Sequence, residues 1–327
     1  MSGPTRQLTL VTFALLSMGG PLARPCAAAD APSDTASLLR EVRALRTEWS
    51  FDRSALEAIG IRRPSRLVYD AQGNLHVLDA ETRRVVKLDP RGRPLYVVGG
   101  YGDDDASLQM PVDIAVDRNE SLLVLDRARG ALVAFDRAGR FLGLRPFQGA
   151  AQEEAHARDA RVLLDRFGTL WLLATQARDL LPLTDRLEPA RATRYLTPED
   201  SVGVPSAAAV DADGAVWLND AARGRLCRFT PSGRFHFAVT FADSSGSLVP
   251  SDLASDGAGN LYVADAVAQR ILIFDSSGAL RFTRAMGGAR IPWHPAALAL
   301  SPTGLVAVAD TERGEIQILA VEREAKP

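Results

Sequence analysis

The chain has 327 residues, 46% of them hydrophobic, and a formal net charge of −2. The length does not force a division into two domains, because repeat and all-β folds run long. The near-neutral charge excludes the global basic field that draws a protein to nucleic acid. Nearly all the basic residues are arginine; lysine occurs only at Lys87 and Lys326.

The N-terminus has its own pattern. Arg6 gives a short positive region, Leu8 to Met18 is apolar, and Ala27-Ala28-Ala29 supplies small residues for a signal peptidase. Residues 1–29 therefore read as a secretory signal peptide, and the apolar run is too short to span a bilayer comfortably as a helix. The expectation is an exported protein, periplasmic or extracellular, with no membrane span. Arg24 and Pro25 stand before Cys26 where a lipoprotein needs small residues. Cleavage after Ala29 leaves Cys227 alone, so no intrachain disulfide forms. In the alternating stretch Leu226–Phe229 it reads as a small buried hydrophobe. Residues 30–46 read as a linker or a short helix: Leu38, Val42 and Leu45 fall near helical spacing, with Ser33 or Asp34 as caps.

From residue 47 to 320 one phrase recurs: Asp-x-x-Gly, an apolar run, then Asp. Asp70-Ala-Gln-Gly73 with Asp79, Asp211-Ala-Asp-Gly214 with Asp220, and Asp256-Gly-Ala-Gly259 with Asp265 are clean copies. Asp117 to Glu120 with Asp126 loses the glycine, Asp165-Arg-Phe-Gly168 loses the closing aspartate, and Ser301-Pro-Thr-Gly304 with Asp310 loses the first aspartate. The opening positions 70, 117, 165, 211, 256 and 301 lie 47, 48, 46, 45 and 45 residues apart. A fixed period in this range signals a propeller, solenoid or array.

The fifth copy shows the content of one unit. Ser251–Ser255 is a strand, Asp256 to Gly259 a capped tight turn, Leu261–Ala264 a second strand, and Arg270–Phe274 a third. Asp275-Ser-Ser-Gly278 is a second turn and Leu280–Arg284 a fourth strand. Four short antiparallel strands are one propeller blade. Asp89-Pro-Arg-Gly92, Asp136-Arg-Ala-Gly139 and Thr230-Pro-Ser-Gly233 repeat the second turn, which argues for a meander rather than a βαβ fold. The third copy is irregular. It comes after an Ala- and Glu-rich insert, Gln148 to Asp159, that reads as helical, and its stretch Thr175 to Leu187 gains Leu180, Leu181 and Leu183.

The sixth copy runs out after three strands, at Ala297–Leu300, Val306–Ala309 and Ile316–Ala320, and leaves residues 321–327 as a tail. An open ring would expose a sheet edge. Thr47–Phe51 is positioned to supply the missing strand. The expected fold is an all-β, six-bladed propeller of four-stranded antiparallel blades, its ring closed by an N-terminal strand.

The units resemble NHL repeats. Pro250…Asp256-Gly-Ala-Gly-Asn-Leu-Tyr-Val-Ala-Asp265…Arg270-Ile-Leu-Ile-Phe-Asp-Ser-Ser-Gly278 matches that pattern closely, and Val98-Gly-Gly-Tyr-Gly102…Pro111 looks like its connector. The resemblance covers about residues 50 to 320 and implies a six-bladed propeller. It does not imply one activity, because the family includes binding modules and a few enzymes.

A residue present in nearly every blade holds blades together; a site lies where blades differ. The closing aspartates, with Arg84, Arg225 and Arg270 five residues on, therefore read mainly as structural pairs. Four residues before each turn, on the innermost strands, lie Arg66, Asp113, Arg161, Ala207, Asp252 and Ala297. These form a ring at one mouth of the channel, with Asp113 between two arginines and Asp252 opposite. Two aspartates interleaved with cations supply too few oxygens for a hard metal, and His76, His156, His236 and His294 fall in different contexts, which does not make a zinc site. The loops after each second strand hold further arginines, among them Arg84, Arg127, Arg225 and Arg270, and arginine's planar fork suits carboxylate, phosphate and acidic glycan groups.

The resulting expectation is an exported, non-enzymatic binding or scaffolding module. Its contact residues are Arg66, Asp113, Arg161, Asp252, Arg84, Arg127, Arg225 and Arg270. Its partner is a protein or a small acidic or glycan ligand, and not nucleic acid. No catalytic residue, metal ligand or cofactor is assigned. The alternative is a propeller lyase or hydrolase with a metal-assisted site at the channel mouth.

Overall fold

The computed structural model describes residues 24–26, 42–157, 159–165, 167–174, 178–190, 202–203, 205–243, 246–288 and 291–323. Six antiparallel sheets succeed one another in chain order. Blade one is Pro64–Tyr69, Leu75–Asp79, Arg84–Leu88 and Pro94–Gly99. Blade two is Pro111–Val116, Leu122–Asp126, Ala131–Phe135 and Phe141–Pro146. Blade three shows Arg161–Leu164, Leu170–Ala174 and Asp179–Pro182. Blade four is Ala208–Val210, Val216–Asp220, Arg225–Phe229 and Phe235–Thr240. Blade five is Pro250–Ser255, Leu261–Asp265, Arg270–Phe274 and Leu280–Ala285. Each sheet is a simple meander with its first strand innermost. The segment Arg24–Cys26 adds a fifth strand to the outer edge of blade four, pairing antiparallel with Thr240, Val239 and Ala238.

Blade six joins an early segment of the chain to a late one. Its strands Ala297–Leu300, Leu305–Asp310 and Glu315–Arg323 are completed by Val42–Phe51, which pairs antiparallel with the last of them. The N-terminal closure expected from the missing strand is therefore present, and it is longer than Thr47–Phe51. Val42 to Arg46, placed on sequence grounds in a linker or helix, belong to this strand; residues 27–41 lie outside the described residues. The physical reason is a bulge. Register shifts between Val42 and Ala44 and between Thr47 and Trp49 each add a residue. Val42 and Leu45 are thus both buried although three apart, a spacing that imitates one helical turn. A short helix, Arg53–Ala58, does come after the strand, capped by Asp52 through the Ala55 amide. The insert before blade three is helical over Ala150–Ala155, as its composition suggests.

The turns work as their sequences require. Asp70 Oδ1 accepts from the amides of Gln72 and Asn74, and Asp117, Asp165, Asp211 and Asp256 repeat the arrangement. Ser301 Oγ does the same for Leu305. The second oxygen of the turn aspartate meets the side chain six residues on: Trp171 Nε1 donates to Asp165, Tyr262 lies against Asp256, and His76 against Asp70. In blade four Arg228 takes this oxygen of Asp211 instead, at 2.8 Å.

Neighbouring blades interlock through the second hairpin turn. A Cβ built on Gly92 would meet Trp49 and Phe51, one on Gly139 would meet Tyr96 and Val98, and one on Gly278 would meet Phe237 and Val239. In each case the turn of one blade lies flat on the outer strand of the blade before it. These glycines also adopt φ near +80°, so the position needs glycine for two reasons. The core lies between blades, in apolar clusters that each draw on two of them.

Candidate functional site

The face carrying the second-to-third-strand loops and the blade entrances (the top face) holds all the residues singled out above. The closing aspartates sit there and are buried. Asp79 accepts from the amides of Arg62, Arg63, Glu81 and Thr82. Asp126 accepts from Gln109, Met110 and Ala128, and Asp310 from His294, Glu312 and Arg313. Each carboxylate therefore ties its own loop to the segment entering the blade, which is a structural task.

Two residues must be corrected on this ground. On sequence grounds Arg225 and Arg270 belong to the contact surface. The structure leaves them only 5% and 3% exposed, with Nε 3.1 Å from Asp220 and 3.0 Å from Asp265 respectively. They neutralise buried carboxylates, and Asp220 is shared with Arg223 Nη1 at 3.0 Å. Arg84 is exposed and Arg127 half-buried, its carbonyl accepting from His156 Nδ1 at 2.6 Å.

The channel-mouth ring is brought together as its spacing requires, but with a different pairing. Arg66 Nε lies 3.5 Å from Asp113 Oδ1. Arg161 does not turn to Asp113. It passes blade four, where the ring residue is Ala207, and places Nη1 2.8 Å from Asp252 of blade five, with Nη2 on the Ser251 carbonyl. Each aspartate also accepts from the next blade's inner strand: Asp113 from Val162 at 2.8 Å, Asp252 from Leu298 at 3.0 Å. Burial, followed by the nearby Arg161 guanidinium, lowers the Arg66 pKa against the opposing pull of the aspartates. Burial likewise raises that of Asp113 against both arginines. The mouth is a filled, self-neutralised lattice.

The histidines have separate surroundings. His76 is buried beside Asp70, Lys87 and Tyr96. His294 Nδ1 contacts the Ala266 carbonyl at 3.0 Å, and His236 lies against Arg228 and Phe237. Among the described residues no group of three or more His, Cys, Asp or Glu is placed to hold a metal.

One column of the top face was missed. Arg83, Gly130, Arg178, Gly224, Gln269 and Gly314 occupy the same loop position in the six blades, all with φ between +54° and +65°. The reason is shared: the carbonyls of Arg83, Gly130 and Gln269 accept from Gly100, Phe147 and Met286, the amides leaving the blade. Glycine serves that bond without strain, yet blades one, three and five carry a side chain there. The signal was available, as a column of three glycines with three departures. Arg83 stacks on the exposed ring of Tyr101, 4.6 Å from its centroid. Beside it, across the seam where blade six meets blade one, Arg53, Arg62, Arg63, Glu81, Thr311 and Glu312 line a cleft of about 300 Å³.

The architecture is shared with known structures. A streptogramin B lyase is similar over 84% of this chain and 98% of its own, at 12% identity and a TM-score of 0.58. A gluconolactonase from Xanthomonas campestris is similar over 94% and 99%, at 15% identity and 0.54. Regucalcin, a calcium-binding protein from Agrobacterium tumefaciens, is similar over 81% and 92%, at 14% identity and 0.56. No family model and no curated protein sequence matches the chain. At these identities the likeness carries the propeller fold alone.

Proposed function

We propose that this six-bladed propeller, of NHL type, is an exported, non-enzymatic binding or scaffolding module whose top face takes an acidic protein segment or an acidic glycan. The supporting observation is the loop column of the top face. Blades one, three and five keep Arg83, Arg178 and Gln269 in a left-handed conformation that glycine fills in the other three. A non-glycine residue held there costs about 1 kcal/mol. Two of the three side chains are arginines, and Arg62, Arg63 and Arg84 stand exposed beside Arg83. The channel mouth contributes a filled floor: Arg66, Asp113, Arg161 and Asp252 are already paired and support the loops around them.

The test uses two polyanionic probes, a heparin oligosaccharide and poly-glutamate, titrated against the full chain. Replacing Arg62, Arg83 and Arg84 together by glutamate is expected to abolish binding of at least one probe. Unchanged binding of both, or no binding by the parent protein, would overturn the reading. Stoichiometric zinc or calcium in protein purified without chelator would turn it toward a lyase or hydrolase, the chemistry of two of the similar structures. Export is tested by the mass of the protein recovered outside the cytoplasm, expected to lack residues 1–29.

A further inference from the structure

We propose that the outer rim of blades one and two rests on an anionic lipid surface, by insertion of Leu95, Val97, Leu142 and Leu144 between flanking arginines. This goes beyond the top-face reading, uses different residues, and stands or falls separately.

The repeat itself isolates the feature. The interlocking turns align the outer strands: Trp49, Tyr96 and Phe237 occupy one column, each facing the glycine of the next blade's turn. The residues on either side of that column lie on the opposite face of the strand. In blade six they are Glu48 and Ser50, in blade four His236 and Ala238, in blade five Arg281 and Thr283. In blade one they are Leu95 and Val97, 54% and 49% exposed; in blade two they are Leu142 and Leu144, 58% and 37% exposed. Phe141, at the start of the same strand, is exposed as well. Two adjacent blades thus carry leucine and valine at positions that three other blades give to charged, polar or small residues. Exposed apolar surface on the scale of a few hundred Å² marks a contact site on a soluble monomer.

The surroundings decide what makes the contact. The hairpin turns and outer strands 89–99 and 136–146 hold Arg91, Arg93, Arg137, Arg140 and Arg145 against only Asp89 and Asp136, five positive charges less two negative, an excess of three. Asp89 and Asp136 are already used by Arg93 and Arg140 at 2.7 Å. Leucine and phenylalanine set among arginines is the composition that partitions into an anionic lipid interface. Addition of a partner's strand is disfavoured at the same edges. Pro94 and Pro146 bound them, and proline at a strand edge removes the donor an added strand would need. Blade four offers the contrast. Its outer strand, Phe235–Thr240, contains no proline and, in the full chain before removal of residues 1–29, takes an extra strand, Arg24–Cys26.

The experiment is co-sedimentation of the full chain with vesicles of phosphatidylcholine, alone or mixed with phosphatidylglycerol. Binding is expected with the anionic mixture, weakened by salt, and reduced about tenfold by Leu95→Ser, Val97→Ser, Leu142→Ser and Leu144→Ser together. Arg91→Glu with Arg137→Glu is expected to weaken it also, which keeps the test decisive should the first variant fold poorly. Equal binding of parent and both variants would assign the interaction to the apolar run Leu8–Met18 and overturn the proposal. So would absence of binding, or a dimer in sedimentation velocity that the four serine substitutions dissolve.

Discussion

Arg161 of blade three holds Asp252 of blade five at 2.8 Å across a blade that contributes only Ala207 at that level. The small residue and the long reach belong together. A larger side chain at position 207 would occupy the path of the guanidinium. Asp252 in turn receives the Leu298 amide of blade six, so Arg161 ties blade three to blade five across blade four and, through Asp252, to blade six. Both side chains are mostly removed from solvent. Asp252→Ala is expected to cost about 3 kcal/mol by leaving Arg161 without its counter-charge, measured by urea unfolding. Asp252→Ala combined with Arg161→Met should recover part of that loss, because the stranded charge is gone.

Closure by the N-terminal strand predicts a second stability effect. Phe51 is buried in the cluster that joins blades six and one, beside Leu56, Ile61 and Ile316. Phe51→Ala is expected to cost about 3–5 kcal/mol. Removing residues 30–52 should do more, exposing the edge of Glu315–Arg323 and lowering the melting temperature with onset of aggregation. A truncated protein melting like the parent would contradict the closed ring.

The loop column predicts opposite signs for stability and binding. Arg83→Gly relieves a left-handed arginine and should raise stability by up to about 1 kcal/mol, less the loss of the Tyr101 stack. The same change should weaken binding of the polyanionic probes. Gly130→Arg, placed in the equivalent loop of blade two, should only destabilise, since a Cβ there would meet the His156 ring.

Acid sensitivity originates in blade one. His76 is fully buried, and burial holds its pKa below the usual histidine value. Asp70, Lys87 and Tyr96 face it. Burial also works to raise Asp70, but the His76 ring 3.6 Å away and the hydrogen bonds from Asn74 and Lys87 overrule it and hold the carboxyl below the carboxylate range. Both folded values are depressed, so both contributions are present at high pH. The histidine part is complete above the unfolded value of about 6.5 and is lost as pH falls below it; the aspartate part is lost below about 4. His76→Tyr, the residue of blade five's Tyr262 column, should flatten the loss between about pH 6.5 and 5 in thermal melts. His236, whose pKa burial and Arg228 also lower, leaves a residue of the effect.

Much of the fold was legible because it is local. An aspartate that caps its own turn, as Asp70 and Asp256 do, announces the turn within five residues, and five such turns with Ser301 as the sixth, at one period, announce the ring. What escaped depends on distance. Val42 and Leu45 looked helical because a bulge mimics the helical interval. Arg225 and Arg270 read both as partners of the closing aspartates and as contact residues, because nothing in a single blade shows how deep the closing aspartate lies. The ring of Arg66, Asp113, Arg161 and Asp252 was legible as a level in the channel. Its pairing was not, because Arg161 finds its partner two blades away. The strained column at Arg83, Arg178 and Gln269 was written in the repeat and becomes visible only when the glycines are read as a conformation.

The ring closure also imposes an order of events on synthesis. Val42–Phe51 is made well before the inner strands of the blade it completes, and it must wait for its partner Glu315–Arg323 to be synthesised. Arg53, just behind it, finds the carbonyl of Glu312 across 259 residues of chain. Five blades can fold in sequence while the tethered strand waits, and cooperative stability arrives only when Val42–Phe51 meets Glu315–Arg323. A nascent chain stalled before residue 315 should therefore remain sensitive to protease at its N-terminal strand, and release should protect it in a single late step.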